Sequence, residues 1–289
     1  MQLRLGCALL MLTGCGLSSM VPTGADGPPD AGPDAGPPPD AAPVFADRRI
    51  CDGSDGLRFA YRRFIGFALP APYRIFSELG GPFLYIDGHC HYWVSDAHAI
   101  SADQDIRTGV LDAASEERIA QATHFASWPA LENAFTCTEQ PPLDGGGTFF
   151  SDGSFRPMCP YCVSEAVSEL VEMCGGATDA LQAQLFAQGQ PLDGPVRLFM
   201  STQSVASEPG RVDWPLASDP AAIAAATTQV TLRIDDLADA RVLRALRASH
   251  HAAFPIFESI PVRDGAGQLY QLFLREVLPF ENDEGLVIF

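Results

Sequence analysis

The chain contains no lysine; its 18 basic residues are all arginines, set against 36 aspartates and glutamates. That absence excludes Schiff-base chemistry on a lysine and a phosphate-binding loop ending in Gly-Lys. There is also no H-E-x-x-H and no G-x-G-x-x-G, and neither Gly53-Ser54-Asp55-Gly56 nor Gly153-Ser154 has the G-x-S-x-G context of a nucleophile elbow. Asp52-Gly53 and Asp152-Gly153 do not reach the ligand spacing of a calcium loop. The acid excess leaves a formal net charge of −18, which repels phosphate backbones over most of the surface, so nucleic acid is not an expected partner. What is plentiful is apolar: 47% of the 289 residues are hydrophobic, enough for a true core.

The N-terminus carries one positive charge at Arg4, an apolar run from Leu5 to Leu12, and then Leu12-Thr13-Gly14-Cys15. The run is far shorter than the roughly 20 residues of a membrane-spanning helix, and its order is that of a signal peptide. Small residues before the cut let a peptidase approach the backbone, and the thiol after it receives lipid. Leu12-Thr13-Gly14-Cys15 resembles the lipobox of bacterial lipoproteins. The resemblance implies a signal peptide over 1–14, a lipid-modified Cys15, and a membrane as partner through that lipid. The residue after the modified cysteine influences sorting in such lipoproteins. Gly16, rather than an aspartate, favours the outer membrane.

Residues 15–46 begin with that cysteine and continue as Pro, Gly, Ala and Asp, including Asp30-Ala31-Gly32-Pro33 and Asp34-Ala35-Gly36-Pro37. No apolar face runs through this segment, so it is expected to stay extended and solvated as a tether. Residues 47–289 are read as one folded extracytoplasmic domain.

Within that domain Leu57, Phe59 and Tyr61 alternate with Arg58, Ala60 and Arg62, the pattern of a half-buried strand. Phe83–Ile86 and His89–Val94 flank Asp87-Gly88, which predicts a two-residue hairpin turn pairing Ile86 with His89 and Tyr85 with Cys90. That register puts His89, His91 and Trp93 on one face. Helices are expected over 113–126 with Asp112 as cap, over 160–174, and over 236–250 with Arg241, Arg244 and Arg247 outward. Strands are expected at 196–201 and 229–234, with a final hairpin of 256–263 and 268–278. The reading is α+β: mostly antiparallel strands and hairpins with about three helices, in a single disulfide-stapled domain.

Of eight cysteines, Cys7 lies in the expected signal peptide and Cys15 takes the lipid, leaving Cys51, Cys90, Cys137, Cys159, Cys162 and Cys174. In an oxidising compartment six cysteines suit three disulfides. Cys159 and Cys174 would sit about 22 Å apart along one helix, too far for a bond. The simplest assignment joins Cys51 with Cys90, Cys137 with Cys174, and Cys159 with Cys162. Cys159-Pro160-Tyr161-Cys162 ahead of a predicted helix resembles the glutaredoxin active-site motif. The resemblance implies a redox pair, since helix-terminal N–H groups stabilise a thiolate. A structural staple, redox exchange and metal binding all stand open for these two residues. His89 and His91, at the i and i+2 spacing of a strand, are candidate metal ligands beside a plain packing role. No cofactor is expected. The functional expectation is a non-catalytic binding or scaffolding lipoprotein with an unidentified envelope or extracellular ligand, and its rival is a tethered thiol–disulfide oxidoreductase.

Overall fold

Alternating apolar residues pair into hairpins, and the hairpins build two sheets. A computed structural model describes residues 48–64, 81–96, 105–131, 147–153, 158–159, 178–202, 210–227, 230–254 and 259–282, all within the unit Val44–Phe289. The first sheet has seven strands: β1 (Leu57–Phe64), β2 (Phe83–Asp87), β3 (His91–Ser95), β4 (Ile106–Val110), β5 (Gly147–Ser151), β6 (Met158–Cys159) and β7 (Gln190–Pro191). Their spatial order is β6-β5-β1-β2-β3-β4-β7, and every neighbouring pair is antiparallel. The second sheet has five strands: β8 (Val196–Ser201), β9 (Val212–Asp213), β10 (Leu232–Ile234), β11 (Ile260–Arg263) and β12 (Leu269–Glu276), ordered β10-β8-β12-β11-β9. Here only β11 and β9 run parallel.

Five α-helices accompany them among the described residues: α1 (Ala113–Ala122), α2 (Trp128–Leu131), α3 (Asp179–Gln188), α4 (Pro220–Ala226) and α5 (Leu237–Ala253), with a 3₁₀ turn at Phe125–Ser127. The α+β class with mostly antiparallel strands therefore stands, while the helix count exceeds the three expected. The surplus comes from α2, α3 and α4, which are short or carry no clean apolar stripe. In α3 the buried positions are Leu185 and the polar Gln182, whose amide donates to the carbonyls of Ser95 at 2.9 Å and Phe83 at 3.3 Å. A polar residue facing inward breaks the period that marks a helix in a sequence. The expected helix over 160–174 lies outside the described residues.

The packing is layered helix, sheet, sheet, helix, because the central strands bury both faces. Leu84 and Ile86 of β2 join Phe59, Tyr61, Tyr92, Val94, Phe150, Ile119, Phe125, Trp128 and Leu185 beneath α1, α2 and α3. Phe83 and Tyr85, pointing the other way, meet Phe199 and Leu278 from the second sheet's side. The second sheet's far face packs Leu198, Met200, Leu272 and Leu274 under Ile223 of α4 and Ala240 and Leu243 of α5. Strand β1 is correspondingly buried at Phe59, Ala60 and Tyr61, not half-buried as its alternation suggested. Alanine is the small residue that the space between two sheets admits at that point.

The β2–β3 hairpin departs from the expected register. Ile86 pairs with Tyr92 and Tyr85 with Trp93, so the turn holds three residues, Gly88-His89-Cys90. The Asp87 carboxylate accepts from the backbone N–H of His89 at 2.9 Å and of His91 at 2.8 Å, which holds the wider turn. Cys90 takes a left-handed φ of 68°, the conformation that closes a three-residue hairpin. Tyr92 and Val94 consequently share the buried face with Ile86, and only His91 and Trp93 remain together on the other.

Candidate functional site

The residues singled out from the sequence fall at separate places. Cys51 and Cys90 are disulfide-bonded, with their Cα atoms 5.0 Å apart, and tie the segment before β1 to the hairpin turn. The buried carboxylate of Glu116 lies alongside and accepts from the Cys51 N–H at 2.9 Å and from Arg49. Cys51, Cys90 and Glu116 form the one group of three His, Cys or carboxylate ligand atoms within 4.8 Å of one another among the described residues. With the two sulfurs bonded to each other, that group offers no thiolate to a metal.

His89 faces the Asp55 carboxylate at 3.1 Å and His91 faces Asp87 at 3.1 Å, both on the exposed hairpin tip. Among the described residues neither histidine belongs to a three-ligand group. Cys159 ends the edge strand β6, paired with Thr148 of β5. Cys15, Cys137, Cys162 and Cys174 lie outside the described residues.

The arginine stripe on α5 is the larger correction. Expected as a solvated face, it points into the protein at Arg244 and Arg247. Helix α5 begins at Asp236, whose carboxylate caps the N–H groups of Ala238 and Asp239, and this start sets the rotation of every later residue. Leu243 faces the second sheet, and Arg244 and Arg247 follow on the neighbouring flank. Arg247 keeps only 4% of its side-chain surface exposed. Its Nη2 donates to Glu276 Oε1 at 2.9 Å and approaches Asp105 at 3.5 Å. Arg244 Nε lies 2.9 Å from both oxygens of Glu276, its Nη2 donates to the Gly194 carbonyl, and Glu276 itself is 2% exposed. Arg241 alone stays at the surface, forked onto Asp193. That bidentate contact is the main reason the Asp193 carboxyl is held below its usual range.

Between α5 and the β4–β7 edge these residues line a pocket of about 240 Å³. Its walls are Ile106 and Arg107 from β4, Pro191 and Leu192 at β7, and Arg244, Ala245, Arg247 and Ala248 from α5, with Glu276 and Asp105 completing it. Arg107 donates from Nη1 to the Gly189 carbonyl at 3.2 Å and stacks 4.9 Å over Phe186. Two nitrogens of these residues, Arg107 Nε and Arg247 Nη1, are enclosed away from solvent and have no acceptor among the described residues. Among the described lining residues, Arg107, Arg244 and Arg247 against Asp105 and Glu276 leave one excess positive charge. A larger hollow of about 570 Å³ beside α1 lacks this character. Its arginines are engaged, Arg49 with Glu116 and Arg48 with Asp152 and the Phe125 ring.

Sequence reasoning found Arg244 and Arg247 but assigned them to solvent, and it missed Arg107 and Glu276. A stripe of arginines on a helix reads as hydrophilic, and the acceptors that draw it inward stand about 30 to 140 residues away in the chain. No protein-family model, curated protein or solved structure matches this chain.

Proposed function

We propose that the chain is a lipid-anchored protein of the bacterial cell envelope, held at the outer membrane through Cys15, whose folded domain binds a small anionic ligand without transforming it. The observation that carries the binding half is the excess of arginine over carboxylate among the described residues of one pocket, Arg107, Arg244 and Arg247 against Asp105 and Glu276. A bound anion neutralises that excess. The non-catalytic reading is supported by the described lining residues, among which there is no Ser, Thr, Cys, His or Tyr to act as nucleophile or proton carrier. Its two carboxylates are both occupied by arginine. The address half rests on the lipobox resemblance. Among the described residues no helix is long and apolar enough to cross a membrane, so a lipid would be the attachment those residues do not provide.

The test is a thermal-shift and calorimetric screen of the purified mature protein against small anions. A saturable rise in Tm with one site per chain is the expected result, and a reproducible turnover abolished by a single substitution in the pocket would overturn the non-catalytic assignment.

Thiol–disulfide exchange at Cys159 and Cys162 is the second reading, favoured by a strand, β6, that runs directly into the motif. It requires a depressed Cys159 thiol pKa and a disulfide-reductase activity that Cys159→Ser removes. An ordinary thiol near 8.5 with no such activity would dispose of it.

A further inference from the structure

The end of β12 sends two charges to opposite faces of the second sheet. Glu276 turns toward α5, and Arg275 turns the other way, into the space between the sheets where Phe199 and Phe273 also point. Strand β8 sets Arg197 directly opposite Arg275. Like charges so placed repel each other, and both are enclosed: the Arg275 side chain is 0% exposed and that of Arg197 is 4% exposed. Burial lowers the Arg197 pKa, and the charge of Glu281 is the foremost influence opposing it.

The counter-charge comes from beyond the end of β12, from Glu281, whose side chain is 1% exposed. Its Oε1 accepts from the Leu278 N–H at 2.8 Å and from Arg275 Nη1, and its Oε2 lies 3.4 Å from Arg197 Nε. A turn brings the chain back for this contact, with the Glu281 N–H donating to the Leu278 carbonyl at 3.2 Å. Residues 277–282 thus form a strap. Pro279 is exposed, Leu278 is buried among Phe83, Tyr85 and Phe199, and the Phe280 ring meets Trp93 edge-on at 4.7 Å. Trp93 belongs to the first sheet and both arginines to the second, so the strap grips one sheet with Phe280 and the other with Glu281.

We propose that this strap is a latch, and that Arg197 and Arg275 beneath it form a carboxylate-binding site for which Glu281 is the resident ligand. The strap has the makeup of a unit that opens by itself. Three inserted side chains, Leu278, Phe280 and Glu281, secure it, whereas β12 is bonded to a strand on each side. Opening withdraws Phe280 and Glu281 together, since they are adjacent in the chain, and uncovers the two arginines beside Phe199, Phe273 and Trp93. A monocarboxylate is the class the site takes, because the resident group is one and each of its oxygens faces a different guanidinium. Two enclosed positive charges without a counter-charge are costly, so the latch stays closed unless another carboxylate replaces Glu281.

The experiment is native-state hydrogen exchange on the mature protein, followed at the Val277 N–H, which donates to the Pro195 carbonyl at 3.1 Å rather than to Glu281. In the wild type Val277 should exchange through a local opening, faster than the amides of β12 and with little dependence on denaturant. Glu281→Ala should speed Val277 exchange about tenfold or more, the effect of losing a charge-assisted hydrogen bond, and change β12 far less. Sodium acetate should reverse that gain saturably, while sodium chloride at equal ionic strength and neutral acetamide should not. Phe280→Ala leaves all three charges in place and loosens the grip on Trp93; it too should speed Val277, and it decides the matter if Glu281→Ala does not fold. Exchange of Val277 together with β12 in the wild type, or an unchanged rate in Phe280→Ala, would show that the strap is fixed core and no latch. Reversal by chloride or acetamide as strong as by acetate, or none by acetate, would overturn the carboxylate site.

Discussion

Glu276 is the residue on which the interior charge balance turns. It is enclosed between Arg244 and Arg247, and its removal would leave two guanidinium groups facing each other with no carboxylate between them. Breaking a buried pair from one side costs about 3 to 5 kcal/mol, whereas exposed pairs contribute little. Glu276→Ala should therefore lower the urea-unfolding free energy by about that much, and Arg241→Ala, at the surface end of the same stripe, should change it far less. Equal effects from the two would mean that Glu276 is not the buried hub of the cluster. Asp112 offers a pH prediction at the same scale. The Ser115 N–H, then the Ser115 hydroxyl, hold its carboxyl below the usual range as it caps α1. Because the folded-state pKa lies below the unfolded value of about 3.9, its stabilising contribution is complete above that value and is lost as the pH falls toward the folded pKa. Asp112→Asn keeps a capping oxygen and removes the titration. The stability gap between wild type and this variant should narrow as urea midpoints are taken from pH 7 toward pH 2.5; a constant gap would show that the cap does not titrate with folding.

The elements most legible in the sequence are those whose signals are local. Helix α5 begins one residue after Asp236, as its capping side chain demands, and the final hairpin turns where Asp264-Gly265-Ala266-Gly267 stands. Strand β8 occupies the expected span to the residue. The β2–β3 turn was misjudged because Asp-Gly signals two residues in isolation, while here a side-chain bridge from Asp87 and the tie from Cys90 to Cys51 open it to three. That tie carries a prediction of its own. It links positions 39 residues apart, so chain entropy assigns it about 4 kcal/mol and typical measured values run from about 2 to 4 kcal/mol. The double variant Cys51→Ser, Cys90→Ser should fall in that range by urea denaturation under non-reducing conditions. A loss under about 0.5 kcal/mol would show that the packing of Ile50 and Glu116 already holds the segment in place.

At the scale of the whole molecule the prediction concerns attachment. Wild-type protein should take up fatty-acid label, carry a modified Cys15 as its mature N-terminus and be released by detergent but not by salt, since one short acyl chain alone binds a bilayer only marginally and several hold firmly. Cys15→Ser should lose the label and accumulate as precursor. Recovery of wild type in the soluble fraction with Cys15 unmodified would sink the lipoprotein reading. Some of this molecule could be derived from the chain alone, because the relevant signals lie within a turn or two of the residues that carry them: the α+β class, the Asp112 cap, and strands such as β1, β2 and β8. The layering of two sheets and the pocket are different in kind. Whether Ala60 faces solvent or a second sheet, and whether Arg247 faces water or Glu276, depends on which distant surfaces meet. An arginine's position on a helix fixes only its direction. The partner that makes burying its charge tolerable comes from a strand end elsewhere in the chain, and only tertiary packing brings the two together.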